Sequence, residues 1–163
     1  MREWVVAAGV IEGPGGVLLV QNKRTDGHLD WSPPGGVIEV GDGETVVDGL
    51  TREVFEETGL TVLGWHGPLY RVHARAEHMG WDLTVEVHQA VSFEGDVRLD
   101  DPDGVVVDAA WVDPERCPAL LEQAYQFVRE PFSQWLTDRW TEPRSFRYRV
   151  DGASRAELSV IRL

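Results

Sequence analysis

The chain has 163 residues, 42% hydrophobic and 26% charged, with a formal net charge of −13. That length and balance describe a single domain, 1–163, with a core of its own, and exclude a disordered chain. The charge excludes a general surface for nucleic acid or anionic membrane, which needs Lys and Arg, and the lone Cys117 excludes an internal disulfide.

Trp4 to Ile11 is apolar and β-rich, which predicts a buried strand. Glu12 to Gly16 is turn chemistry, and Val17 to Gln21 reads as the returning strand of a hairpin. Asn22 to Asp30 is a polar loop carrying Lys23, Arg24 and His28. Arg24 is a candidate for holding phosphate, against the plainer reading of a solvated loop charge. Trp31-Ser32-Pro33-Pro34 is held extended by its prolines and delivers the chain to Gly35-Gly36. Trp31 reads as a packing residue beside the site, with stacking on a base as the alternative.

The stretch from Gly35 to Leu60 holds the densest chemistry. Glu53, Glu56 and Glu57 stand at i, i+3 and i+4, on one face of a predicted helix. Val47, Leu50 and Val54 form the neighbouring apolar stripe, and Gly59 ends the helix. Three adjacent carboxylates repel unless a cation neutralises them. Arg52 offsets one, and a hard divalent ion such as Mg²⁺ or Mn²⁺ suits the rest. An acidic, merely solvated face is the bland alternative. The Gly-Gly lead-in and the Arg-Glu to Glu-Glu-Thr-Gly spacing argue against it.

Thr61 to Arg75 is β-prone, with interruptions at Gly64 and Gly67-Pro68. His73, His78 and His88 follow no zinc-ligand spacing. Glu77 to Gly80 is a turn, and Leu83 to Phe93 alternates as a half-buried strand does. Glu94 to Val106 is an acidic loop, read as a solvated connection, and Val105 to Val112 is a further strand. Asp113-Pro114-Glu115 starts a helix with an Asp cap, predicted to reach about Trp140 with a break at Pro131. Phe146 to Val150 and Leu158 to Leu163 predict a hairpin about Asp151-Gly152, within an extension of about residues 141–163. This hairpin either extends the core sheet or pairs with a second copy as a homodimer. The element order predicts an α/β fold, an α/β/α sandwich with a mixed central sheet. With no charged-then-apolar leader and no long apolar run, the expected location is cytoplasmic, away from membranes.

Over Gly35 to Leu60 the chain resembles the Nudix hydrolase family (MutT-like). That signature runs Gly, five residues, Glu, seven residues, Arg-Glu, an aliphatic, any residue, Glu-Glu, any residue, Gly, aliphatic. Counting back from Arg52, seven residues lead to Glu44. Counting forward from Gly36, five lead to Asp42, so the loop is two residues longer near Asp42-Gly43 and the geometry of Glu44 is left open. The resemblance implies a Nudix-type sandwich and divalent-metal-dependent hydrolysis of a nucleoside diphosphate linked to another group. Its substrate would be a small molecule, not a nucleic acid polymer.

The resemblance further implies that Glu53, Glu56, Glu57 and the Gly36 carbonyl bind metal and that Arg52 orients a glutamate. The general base stays open among Asp108, Asp101, Asp103 and Glu57. Lys23 and Arg24 before the signature, and Arg71 and Arg75 after it, are the nearest cations. Arg24, Arg75 and Trp31 are the substrate-binding candidates. Two other classes remain in view. A nucleotide-sensing module without turnover would ordinarily lack the signature acids. An isoprenoid-diphosphate isomerase would need a placed cysteine, whereas Cys117 falls in the second helix region.

Overall fold

The computed structural model describes every residue from Met1 to Leu163. Strand β1 (Arg2–Val10) is followed by β2 (Glu12–Gly13), β3 (Gly16–Lys23), β4 (Leu29–Ser32) and β5 (Gly35–Val37). Helix α1 (Val46–Thr58) leads to the long strands β6 (Thr61–Ala76) and β7 (Trp81–Glu94), then to β8 (Val106–Val112). The short α2 (Cys117–Leu120), α3 (Gln126–Asp138), β9 (Arg144–Asp151) and β10 (Ser159–Arg162) complete the chain.

Six strands form one mixed sheet in the order β10-β9-β6-β7-β1-β5. Within it β1 runs parallel to β7 and β9 parallel to β6, while the remaining pairs are antiparallel. A second sheet is built on β3, which pairs with β2, β4 and β8. The hairpin expected between β1 and Val17 to Gln21 is therefore replaced. The two runs enter different sheets, and only the two-residue β2 folds back on β3.

Strand alternation sorts the core into two layers. Ala7, Ile11 and Leu18 pack with Leu50 and Val54 of α1. Ala8, Val10, Val17 and Leu19 join Phe127, Phe132, Trp135 and Leu136 of α3 on the other side. The result is the α/β/α sandwich. Leu50 and Val54 are fully buried, and each contributes about 1.5–3 kcal/mol of transfer free energy. Thr45 caps α1 by accepting the Asp48 N–H at 3.1 Å, and Gly59 ends it in the left-handed region at φ 79°. Val47 does not join the stripe. It is 40% exposed, and Val46 turns inward at the first turn instead.

The second helical region also departs from the sequence reading. Asp113 caps as expected, accepting the Glu115 N–H. The chain then breaks at Ala124, which is extended, and α3 runs unbroken through Pro131. A proline in a helix forfeits one backbone bond, and burial of the Pro131 ring against the core offsets that loss. The tail extends the core sheet of its own chain. β9 lies along β6, and Phe146, Tyr148 and Val150 are buried in the α3 layer. Tyr148 donates its hydroxyl to Glu130 of α3 at 3.0 Å, and Arg162 adds a second donor at 2.8 Å. No helix is long and apolar enough to cross a membrane.

Candidate active site

Pairing of β1 with β5 sets Gly36 opposite Ala7 and Gly35 opposite Ala8, beside the acidic face of α1. A Cβ on Gly36 would stand 2.5 Å from the Glu53 carboxyl carbon, so a larger residue there would push the Glu53 carboxyl out of its present place. The Gly35 N–H donates to Glu57 Oε1 at 2.8 Å. Glu57 is thereby held against the strand at 9% exposure.

Arg52 ties the rest together. Its Nε and Nη2 donate to the two oxygens of Glu44 at 2.8 and 3.0 Å, while Nη1 reaches Glu53 at 3.2 Å and Glu56 at 3.3 Å. The two extra loop residues are absorbed in a 3₁₀ turn, Val40–Asp42, closed by Gly43 at φ 83°. Glu44 also accepts the Glu39 N–H at 3.0 Å. The longer loop thus leaves the Arg52–Glu44 fork intact.

Burial pushes the Glu57 carboxyl up to about 8, against the Gly35 N–H that favours its ionised form, and the charges of Glu53, Asp101 and Glu56 add to the rise. Glu53 is raised to about 7, first by burial, with Arg52 opposing and Glu56 and Asp103 adding. Glu44 goes the other way, to about 2, through its hydrogen bonds from Arg52 and the Glu39 N–H. Two acids that resist ionisation, buried Glu57 and half-buried Glu53, sit beside one that does not.

These groups open onto a cleft of about 500 Å³. Its polar end is lined by Gly35, Gly36, Glu39, Glu53 and Glu57. Its apolar end is lined by Tyr70, Val72, Leu83, Val85, Phe127 and Val128. Asp101 and Asp103 of the acidic loop also border it, as do Asn22 and Arg24. That loop is more than a solvated connection.

The structure brings Arg24, Gly36, Glu53 and Glu57 to this cleft, with Arg52 and Glu56 immediately behind. Three other candidates lie elsewhere. Asp108 is exposed on β8 and accepts the neighbouring Ala109 N–H at 2.8 Å. Trp31 pairs across from Gln21 and packs against the larger core. Arg75, like Arg71, projects from the face of β6 opposite Tyr70 and Val72, where its Nε meets Glu77 at 3.4 Å. Cys117 is buried in the core, away from the cleft.

Sequence reasoning passed over Asn22 and Asp30, both buried. In the sequence they are the two ends of a polar loop, and no local pattern marks a polar residue that closes a strand against a cleft. The donor set fits a hard cation, since it offers carboxylates and a glycine-lined approach and no thiolate. Raised carboxyls on one helix face are the electrostatic condition that a divalent ion relieves. No three acidic, His or Cys side chains are already drawn into a cage, because Arg52 Nη1 stands between Glu53 and Glu56.

Residues 1–136 match the NUDIX domain model. The chain is 32% identical over 128 residues to the oxidized purine nucleoside triphosphate hydrolase of Danio rerio, across 77% of this chain and 67% of that protein. It is 38% identical over 76 residues to the protein of the same name from Mus musculus, across 46% of this chain and 45% of the mouse protein. The E. coli ORF135 protein shares the fold at a TM-score of 0.69 with 22% identity, over 87% of this chain and 96% of that one. The MutT protein of Methanosarcina mazei Go1 does so at 0.69 with 20% identity, over 86% and 97%. The family match ends before β9 and β10. On this match, and with its acidic helix turned into a cleft, the chain belongs to the Nudix hydrolase family, whose members hydrolyse small nucleotide substrates.

Proposed function

We propose that the protein is a divalent-metal-dependent hydrolase of the diphosphate bond in a nucleoside diphosphate linked to a further group, working at the polar end of the cleft. The observation that supports this most is the pair of carboxyls with raised pKa, buried Glu57 and half-buried Glu53, lining a cleft that is apolar at its other end. In this reading Glu53, Glu56, Glu57 and the Gly36 carbonyl hold Mg²⁺ or Mn²⁺. Bound there, the ion would neutralise phosphate oxygens and lower the pKa of water.

The chain's own residues do the rest. The Gly35 N–H fixes one oxygen of Glu57 and leaves the other available. Arg52, anchored on Glu44, orients Glu53 and Glu56. Asp103 takes the proton of the attacking water, since it faces the cleft and its charge acts on Glu53. Asp101 shapes the loop instead, because its oxygens accept the N–H groups of Asp103, Val105 and Val106. The apolar wall receives the base and keeps water from it. By the name of its relatives, a triphosphate carrying an oxidised purine heads the candidate substrates. A free, buried Cys117 agrees with a reducing cytoplasm.

The test is phosphate or pyrophosphate release from a panel of oxidised and ordinary purine triphosphates, ADP-ribose, NADH, dinucleoside polyphosphates and sugar nucleotides, with Mg²⁺ and with Mn²⁺. Turnover that needs the metal and is lost in Glu57→Gln is the expected result. Binding without turnover across the whole panel would make the chain a sensor.

A further inference from the structure

Resting on that reading, the cleft carries a fixed hydrogen-bonding instruction for the base. Asn22 lies near the end of β3, 4% exposed, and lines the cleft. Its Nδ2 donates to Asp30 Oδ1 at 3.0 Å and to Ser32 Oγ at 2.8 Å, and lies 3.4 Å from the Asp30 carbonyl. Asp30, itself 7% exposed, is gripped by Arg24, whose Nε and Nη2 reach Oδ2 and Oδ1 at 2.7 and 2.8 Å.

This arrangement settles which way the Asn22 amide points. A paired carboxylate and a backbone carbonyl only accept hydrogen bonds. Turning the amide over would set its oxygen against both, so the nitrogen must face Asp30. Both hydrogens of Nδ2 are then spent within the protein. Oδ1 has no protein partner, yet no fully buried side-chain polar atom lacks one. Oδ1 is therefore open to the cleft that Asn22 lines. A nearly buried acceptor with no donor of its own favours a ligand that brings one and penalises a ligand that brings another acceptor.

We infer that Asn22 selects the substrate by accepting a hydrogen bond from an N–H of the nucleobase, and that Asp30 is the positioning residue that locks the amide in this sense. The ligand class is a nucleotide whose base turns an amino group or a ring N–H to Asn22. Arg24 enters through Asp30, whose charge it balances.

The experiment uses the full chain with Mg²⁺ and four pairs of purine nucleoside triphosphates, each pair differing in one base donor. The donors are the 6-amino group, the 2-amino group, the N1–H (removed by methylation) and the N7–H that oxidation at C8 creates. Wild type should prefer the donor-bearing member of at least one pair by about tenfold or more in kcat/KM, the scale of one hydrogen bond. Asn22→Leu should reduce that preference to within about threefold. Asp30→Asn keeps the shape but can donate to Asn22 and let the amide turn, so the preference should vanish or reverse. A merely structural role for Asp30 would lower activity without reordering the pairs.

If Asn22→Leu does not fold by circular dichroism, the Asp30→Asn ranking decides alone. Equal treatment of all four pairs by wild type, or a preference that survives substitution, would overturn the inference. If wild type hydrolyses neither these triphosphates nor any member of the wider panel, the proposed function fails. Calorimetric binding of the same pairs then still tests Asn22.

Discussion

Replacing Glu57 by Gln separates structure from chemistry at one atom. The Gln Oε1 can still accept the Gly35 N–H, which Glu57 accepts at 2.8 Å, and the side chain keeps its volume in a site 9% exposed. The fold should therefore be unharmed, and removal of a carboxyl that burial disfavours should not lower stability. Cation binding should suffer. A wild-type site saturated at a hundred times its Kd gains about 2.7 kcal/mol from the ion. For a chain of this size that corresponds to a Tm rise of roughly 5–10 °C. A site weakened tenfold retains about 1.4 kcal/mol, so the rise should halve. The assay is thermal unfolding with and without Mg²⁺, beside turnover at limiting Mg²⁺. A Glu57→Gln variant with an undiminished Tm rise and near-wild-type kcat would remove Glu57 from the mechanism.

Glu44 is held down to about 2 by Arg52 and the Glu39 N–H; a depressed carboxyl stabilises above its ordinary value of 4.5 and loses that effect as pH falls toward 2. The stability gap between wild type and Glu44→Gln in urea titrations should accordingly shrink between about pH 6 and pH 2.5, and a constant gap would mean the fork adds nothing. Asp103→Asn should lower kcat by about a hundredfold while Asp108→Asn leaves it unchanged, and the opposite order would return the base to β8. Truncation after Pro143 strips β9 and β10 from β6 and α3, so it should lower Tm steeply without changing the number of copies per particle by light scattering; a folded assembly of fewer copies would show that the tail joins two of them. KM at saturating Mg²⁺ should stay within about twofold between about 20 and 200 mM salt, and a severalfold climb would mean that arginines hold the phosphates.

The acidic helix was legible because its information is local. Spacing at i, i+3 and i+4 fixes a face whatever the helix packs on, and Gly59 ends it by its own backbone preference. The alternation in β7 was legible for the same reason. What failed depends on partners distant in sequence. Asp108 looks like Asp103 along the chain, and only the path of the acidic loop brings one to the cleft and leaves the other on an exposed strand. Arg75 follows the signature closely but falls on the wrong face of β6, a matter of parity that a strand interrupted at Gly64 and Gly67 hides. Asn22 and Asp30 look like loop polars until β3 and β4 pair. Pro131 breaks a helix only where no core compensates for the lost bond, and here the ring is buried within a continuous α3.

The charge of the cleft bears on how any phosphate can enter it. Among its lining residues the acids are Glu39, Glu53, Glu57, Asp101 and Asp103, and Arg24 is the lone cationic side chain. Arg24 is already committed to Asp30 at 2.7 Å. Arg52 points its guanidinium at Glu44, Glu53 and Glu56. Arg71 and Arg75 lie on the far face of β6, paired with Glu86 and Glu77. No protein cation is therefore free at the polar end to balance a diphosphate, and a net −13 repels one at long range. An anionic substrate held here must arrive with its own positive charge or meet it on the carboxylates. On the proposed function, the acids that repel phosphate are then the reason the cleft would accept it with a metal, because each one left unpaired by protein raises the gain from a divalent ion. Adding a lysine to the cleft would accordingly weaken metal-dependent turnover, not strengthen it.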